Sequence, residues 1–214
     1  SNTSWTKLVK LDLSENKIDD RSAAMIASNT SWKNLRVLDL SKNQIGNEGD
    51  SSIGSNTSWT KLVKLDLSEN KIDDRSAAMI ASNTSWKNLR VLDLSKNRIG
   101  NEGDSSIGSN TSWKELEVLY LSENRIHDRG ASMIASNTTW KNLKVLDLSR
   151  NLIGDEGASS IGRNKSWEFL KKLNLSSNYI GKKGAEVVIG NDFWIHLDEL
   201  IFYDQSTEEK RKMF

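Results

Sequence analysis

Four aspartates, Asp12, Asp39, Asp66 and Asp93, follow one another at intervals of 27 residues, and the same place further along holds Tyr120, Asp147, Asn174 and Ile201. Were these positions stacked on neighbouring strands, the carboxylates would stand in a row about 4.8 Å apart. Like charges that close repel. Either nearby cations relieve them, for which Lys10, Lys64, Arg36 and Arg90 are placed, or a bound cation or basic partner completes the site. A calcium site needs roughly 6 to 8 converging oxygens, whereas parallel strands hold such side chains side by side. No specific metal and no cofactor is therefore expected.

Acid–base and nucleophilic chemistry find less support. The histidines are His127, in a loop after Ile126, and His196, in the terminal unit, more than two repeats away. Neither the Ser nor the Asp columns carry a paired base, and an acidic row on an open wall lacks the water-excluding pocket that general acid and base catalysis needs. The expectation is no enzyme. The absence of cysteine excludes disulfides, thiol nucleophiles and Cys-ligated metals. A reducing compartment or a bacterial origin fits this, so the chain is expected in the cytoplasm, with a secreted bacterial effector as the alternative. The formal net charge of +1 creates no global field for nucleic acid or an anionic membrane. No apolar run approaches the roughly 20 residues of a spanning helix. Neither nucleic acid nor membrane is expected as a partner.

A unit written eight times must position these residues. Trp5, Trp32, Trp59, Trp86, Trp113, Trp140, Trp167 and Trp194 stand 27 residues apart without a slip. A fixed period of this length marks a solenoid, in which each unit touches only its neighbours and none buries its apolar face alone. The whole chain, 1–214, is thus one domain, with repeats 1–27, 28–54, 55–81, 82–108, 109–135, 136–162 and 163–189 and an incomplete terminal repeat with its cap at 190–214. In the first unit Leu8 to Leu13 ends in alternation, with Leu11 and Leu13 inward and Lys10, Asp12 and Ser14 outward, which predicts a short strand. Asp20 to Ala27 opens on a cap-capable acid and continues with good helix formers until Ser28 and Asn29 close it. Each unit reads as strand, turn, short helix, turn.

The pattern Leu-x-x-Leu-x-Leu-x-x-Asn-x-Ile resembles the leucine-rich repeat, and Ile45-Gly46-Asn47-Glu48-Gly49 followed by Ile53 resembles its ribonuclease-inhibitor-like subclass. The likeness covers essentially the whole chain and recurs at Asn16, Asn43, Asn70, Asn97, Asn124, Asn151 and Asn178, always at one offset from Trp. The departures are Trp where the family often has Leu, and Gln205 in the Asn place of the last unit. The spacing implies an α/β horseshoe. Parallel strands stack about 4.8 Å apart while helices want roughly 8 to 10 Å, so the strands form the concave wall and the helices the convex one. The Asn column is expected to be a buried structural ladder, since one carboxamide serves backbone donors and acceptors alike.

A second pattern overlies the first. Residues 1–54 and 55–108 are identical except that Gln44 becomes Arg98, so the duplicated unit is a pair of repeats. Odd units carry Ala23, Ala24 and Met25, whereas even ones read Asp50, Ser51 and Ser52, which predicts a weaker helix. Asp50 and Asp104 are expected to turn outward or to cap their helix starts. Glu15, Lys42, Glu69, Lys96, Glu123 and Arg150 alternate in sign from repeat to repeat, as an inter-repeat salt-bridge ladder that fixes register would. Asn-x-Ser/Thr recurs at Asn2, Asn29, Asn56, Asn83, Asn110, Asn137 and Asn164. It reads either as a row of glycan acceptors or as polar residues that end one helix and turn the chain.

A partner touching only the first four units would meet a periodic surface and bind in several registers. Unique residues begin with Glu117, Val118 and Tyr120 and continue through Lys144, Val145, Leu152, Lys171, Lys172 and Tyr179 to Tyr203. Tyr among aliphatic and long basic side chains suits an interface centre. The leading expectation is a non-catalytic scaffold that binds a protein partner on the C-terminal half of the concave face, as the family resemblance implies. The charged run Asp204 to Lys212 is expected to cap the stack, while no polar cap precedes Trp5, so the chain reads as a fragment of a longer protein. That open edge supports an alternative, self-assembly into end-to-end homodimers or filaments. A further alternative is the substrate-recognition module of a larger bacterial effector.

Overall fold

The computed structural model describes residues 4–203. Its elements run β1 (Lys10–Asp12), α1 (Asp20–Ala27), β2 (Val37–Asp39), α2 (Asn47–Gly54), β3 (Lys64–Asp66), α3 (Asp74–Ala81), β4 (Val91–Asp93), α4 (Asn101–Ser109), β5 (Val118–Tyr120), α5 (Asp128–Ser136), β6 (Val145–Asp147), α6 (Asp155–Gly162), β7 (Lys172–Asn174), α7 (Lys182–Ile189) and β8 (Glu199–Ile201). All strands are parallel and pair in chain order in one open sheet. The register joins equivalent residues, Leu11 to Leu38 and Leu38 to Leu65, through to Leu173 and Leu200. Each strand is three residues long, shorter than the Leu8 to Leu13 run, although inter-repeat bonds continue beyond it from Leu13 N–H to Asp39 and from Glu15 N–H to Ser41.

The core is one continuous band. Leu35, Leu38, Leu40, Ile45 and Ile53 of the second repeat are fully buried, and the same positions are buried in the third to sixth repeats, while Ile180, Leu197, Leu200 and Phe202 near the C-terminal end are partly buried. Full burial of one such side chain stabilises by about 1.5 to 3 kcal/mol. Trp59, Trp86, Trp113, Trp140 and Trp167 are equally enclosed, whereas Trp5 is 53% exposed at the N-terminal end, stacked on Trp32 at 6.4 Å. From Trp32 to Trp194 no indole N–H has an acceptor. Packing of the large ring in each repeat therefore offsets an unmet donor.

Two asparagine ladders stitch the repeats. In the first, Asn43 Nδ2 donates to Leu13 O at 3.0 Å in the preceding repeat and to Leu40 O in its own, while its Oδ1 accepts from Ile18 N–H at 2.9 Å. Asn70, Asn97, Asn124 and Asn151 repeat this arrangement and are buried. Asn178 bonds in the same way but is half-buried, and Asn16 is exposed, contrary to the expectation of a uniformly buried column. Asn16 reaches only Leu13 O and Ser14 O of its own unit, because no strand precedes β1 among the described residues.

The second ladder is made by the asparagines of the Asn-x-Ser/Thr motif. Asn56, Asn83, Asn110, Asn137 and Asn164 are buried, and each Nδ2 donates into the preceding repeat, as Asn83 does to Gly54 O at 2.7 Å. Their Oδ1 atoms accept from the backbone two residues on, Ser58 N–H and Ser85 N–H for example, so they turn the chain toward Trp. A carboxamide enclosed and bonded in this way has no room for a sugar. Asn2 lies outside the described residues.

Helix starts come in two kinds, which alternate through the first four repeats. α1 and α3 cap themselves through Asp19, which accepts from Ser22 N–H at 2.9 Å, and Asp73, which accepts from Arg75 and Ser76 N–H. α2, α4, α6 and α7 start after glycines that offer no side chain. The preceding repeat supplies the cap: Asp20 accepts from Gly46 and Gly49 N–H, Asp74 from Gly100 and Gly103, Asp128 from Gly154 and Gly157, and Asp155 from Gly181 and Gly184. Carboxylates bonded to helix N-terminal N–H groups complement the macrodipole. The even helices are consequently as long as the odd ones, α2 and α1 both holding 8 residues, and the expected weakness of α2 does not shorten it. Gly49 is dictated by this contact, since a Cβ there would lie 2.9 Å from the Asp20 Cα and the Ala23 Cβ.

Candidate functional site

The face of the sheet turned away from the helices displays columns one residue wide. In the first, Asp39, Asp66 and Asp93 lie side by side with Asp12, and Tyr120 follows in register with Asp93. Each carboxylate satisfies itself locally. Asp12 Oδ1 accepts from the Ser14 hydroxyl at 2.8 Å and from its N–H, and Asp39, Asp66, Asp93 and Asp147 do the same with the serine two residues on.

Cations relieve only part of the row. Lys10 pairs with Asp12 at 3.1 Å and Lys64 with Asp66 at 3.3 Å. The expected help from Arg90 is absent because it turns to Glu117 instead, at 3.1 Å, and among the described residues Arg36 makes no ion pair. The row is therefore electrically uneven. The Ser14 hydroxyl, then Lys10, hold the Asp12 carboxyl down at about 2. Burial pushes Asp93 up against its Ser95 bonds, and Asp66 adds to the rise. Burial opposes the charge on Lys64, yet Asp66, Asp39 and Asp93 together hold its ammonium above its ordinary value. Among the described residues no three acidic, His or Cys side chains converge as metal ligands.

The sign-alternating column is not the continuous ladder expected of it. Lys42 bridges Glu15 at 2.5 Å, Lys96 bridges Glu69 at 3.1 Å and Arg150 approaches Glu123 to 3.9 Å. Among the described residues no bridge joins Lys42 to Glu69 or Lys96 to Glu123, so the pairs close within each two-repeat unit. The backbone supplies the reason these side chains share a direction: all six, and Ser177 after them, are left-handed, with φ between 53° and 58°.

Downstream, the residues singled out from the sequence fall in two groups. Glu117, Val118 and Tyr120, then Lys144 and Val145, then Lys171 and Lys172 lie on or beside β5, β6 and β7, and Tyr203 follows β8. Val118 pairs with Val145 and Val145 with Lys172, so three neighbouring repeats present them in register. Glu117 is held between Arg90 and Lys144, the latter at 2.8 Å, and Lys172 pairs with Glu199 at 2.8 Å. Leu152 and Tyr179 instead follow the Asn ladder in adjacent repeats, at the edge beyond the strand ends. Tyr179 is 73% exposed and Tyr203 41%.

Sequence reasoning passed over a second exposed group. Phe169, Phe193 and Ile195 replace the polar residues that precede the strands in earlier repeats, and all are exposed. His196 stacks on Phe169 at 5.8 Å and Lys165 Nζ lies 4.5 Å above the Phe193 ring. The break in each polar column was available as a signal. His127 stands at the start of α5, where its N–H is accepted by Asn101 Oδ1. The described surface hollows are shallow, one between α1 and α2 around Ala24, Ser51 and Ser55, and one around Trp5 and Leu8. Neither His lines one of them.

An open parallel sheet backed by one short helix per repeat defines a solenoid whose surfaces, rather than pockets, are displayed. The chain belongs to the Leucine Rich repeat family, whose signature matches residues 6–27, 33–54, 60–81, 87–108, 115–135, 141–162 and 168–188. No curated protein sequence matches it. Among solved structures it is similar to the Arabidopsis receptor kinase HAESA, in complex with the peptide hormone IDA and the co-receptor SERK1, at 21% identity and a TM-score of 0.52 over 82% of this chain. It is similar also to the plant peptide hormone receptor RGFR1, in complex with RGF2, at 21% identity and a TM-score of 0.55 over 94% of this chain. It spans 26% and 30% of those two chains, so the likeness is one of fold. No described helix is long and apolar enough to cross a membrane.

Proposed function

We propose that the chain is a non-catalytic scaffold that binds a protein or peptide partner on the open face of the sheet in its C-terminal half. The observation that carries this is the change of surface at the fifth repeat. Up to there the outward columns repeat with a strict two-repeat period, and from there the period breaks: Tyr120 replaces an aspartate, and Tyr179 and Tyr203 are exposed further along, beside the partly exposed Val118 and Val145. Aromatic and aliphatic side chains beside the Arg90–Glu117–Lys144 network give an apolar centre with a charged border, the arrangement that concentrates binding energy. The fold neighbours were solved bound to peptide hormones, which supports the same reading for this chain.

A displayed peptide library selected on the wild-type chain tests it. Binders are expected to lose affinity by tenfold or more, about 1.4 kcal/mol, against a Tyr120→Ala/Tyr179→Ala double variant. Selected peptides that bind both chains equally overturn the assignment.

A second reading is favoured by the N-terminal face, where Trp5, Val9 and Met25 are exposed. On this reading a second copy covers that face in an end-to-end dimer. Light scattering that reports a monomer across the whole concentration range removes it.

A further inference from the structure

One column of helix residues lies between neighbouring repeats and is alanine at five of its seven positions, with Ala23, Ala77, Ala131 and Ala158 fully buried. Asp104 occupies the same column and is 0% exposed. It neither turns outward nor caps its helix, as the sequence reading expected, and neither carboxylate oxygen has a hydrogen-bond donor. The side chain of Asp50, its counterpart in α2, lies outside the described part of the structure.

The groups around Asp104 offer no compensation. From α3 the nearest charge is Asp74, another carboxylate, engaged with Gly100 and Gly103 N–H. From α5 the facing residue is Gly130, where a Cβ would meet an Asp104 oxygen at 2.9 Å. The charged residues of α5 look elsewhere, Asp128 bonding Gly154 and Gly157 and Arg129 lying exposed. On α4 itself Glu102 is exposed. Burial first, then the Asp74 charge, push the Asp104 carboxyl well above the ordinary carboxylate range. The side chain also lacks a way out. One turn further along, Gly108 is pressed on the next helix so closely that a Cβ would stand 2.6 Å from the Met133 carbonyl.

We propose that Asp104 is a proton-dependent latch at the junction of the fourth and fifth repeats: neutral, it stays enclosed in the α3–α4–α5 stack, and its ionisation lifts α5 away from α4. An enclosed neutral acid is tolerable where an unpaired carboxylate is not. The junction is a distinctive one, because the duplicated half ends there. On the sheet face the same junction is crossed by the Arg90–Glu117 ion pair. The sign follows from the direction of the shift. A carboxyl whose folded value is raised contributes stability that is complete below its unfolded value, about 3.9, and is lost as pH rises through the folded value.

The test uses the full chain in an Asp50→Ala background, so that only Asp104 differs, and compares it with added Asp104→Ala and Asp104→Asn. Thermal denaturation and hydrogen exchange are followed from about pH 4 to pH 8. With Asp104 present, the melting temperature is expected to fall with rising pH relative to both variants, leaving Asp104→Ala about 5 °C higher at neutral pH. Protection of the α5 amides is expected to fall over the same range only when Asp104 is present. Asp104→Asn keeps the size and stays neutral at every pH, so it separates ionisation from packing. Parallel pH curves for all three chains, or α5 protection that ignores pH, overturn the proposal.

Discussion

The Asp128 carboxylate, at the start of α5, accepts the backbone N–H of Gly154 at 2.6 Å, one repeat further along the chain. The same oxygen takes Gly157 N–H at 2.9 Å, so the first turn of α6 is finished by a residue it does not contain. Helix formation is thereby coupled to stacking. A lone repeat of the α6 type has orphan N–H groups that only its predecessor satisfies, in keeping with the nearest-neighbour energetics of solenoids.

Asp128→Ala is expected to cost about 1 kcal/mol, the usual loss for a cap, and to unprotect the first-turn amides of α6 rather than those of α5. Asp128→Asn keeps one acceptor and is expected to recover more than half of that. Hydrogen exchange read by mass spectrometry locates the effect. Loss of protection in α5 with α6 unchanged contradicts the assignment.

The Asn ladder makes a graded prediction. Asn97→Ala strands Ile72 N–H in a buried place and removes one of two donors from each of the carbonyls of Leu67, Leu94 and Ser95, which keep Asn70, Asn124 and Glu69 N–H. An unmet buried group costs about 1 to 3 kcal/mol and each lost hydrogen bond about 0.5 to 1.5 kcal/mol, so a loss above about 2 kcal/mol is expected in urea denaturation. Asn16→Ala, at an exposed position bonded only to its own repeat, is expected to cost less than about 1 kcal/mol by the same rule. Equal losses at the two positions would mean that the inter-repeat bonds contribute little.

How far the sequence could be read follows from what was periodic in it. The Trp and Asn intervals specify unit, strand and helix, and α1 lies at Asp20–Ala27 where capping and propensity place it. Contacts between repeats were less legible. Asp20 reads as a helix-opening acid, but its bonds go to Gly46 and Gly49, far away in sequence though adjacent once repeats stack. The burial of Asp104 was hidden for a related reason. An acid in an alanine column looks like a surface residue until the approach of Gly130 is known. On the sheet face, sequence order gave the columns, but which cation an acid chooses depends on side-chain reach, so Arg90 prefers Glu117 to the aspartate row.

Ser177 offers a stabilising substitution. Its φ of 56° is left-handed, and unlike Lys42 or Lys96 it carries no ion pair that would recompense the strain. A left-handed residue with a Cβ costs roughly 1 to 2 kcal/mol, which Gly avoids and Asn reduces. Ser177→Gly is expected to raise stability by up to about 1 kcal/mol after its greater unfolded-chain entropy is subtracted. Ser177→Val, with branching at Cβ, is expected to lower it. A melting temperature that falls with Gly would show that the turn is not left-handed in solution.

The acidic column makes a prediction in pH. Asp12 sits at about 2 chiefly through the Ser14 hydroxyl, with Lys10 second. Its folded value is depressed, so whatever it contributes to stability is present above the unfolded value near 3.9 and is lost as pH falls from there toward 2. Asp93 has the opposite sense, because burial raises it. Carboxyl-detected NMR titration is expected to find Asp93 protonating before Asp12 on acidification. Ser14→Ala is expected to move the Asp12 midpoint upward while leaving Asp93 where it was, since each aspartate leans on its own serine. A midpoint for Asp12 that stays near 2 without the Ser14 hydroxyl assigns the effect to Lys10 instead, and the Lys10→Gln chain then shows the upward move.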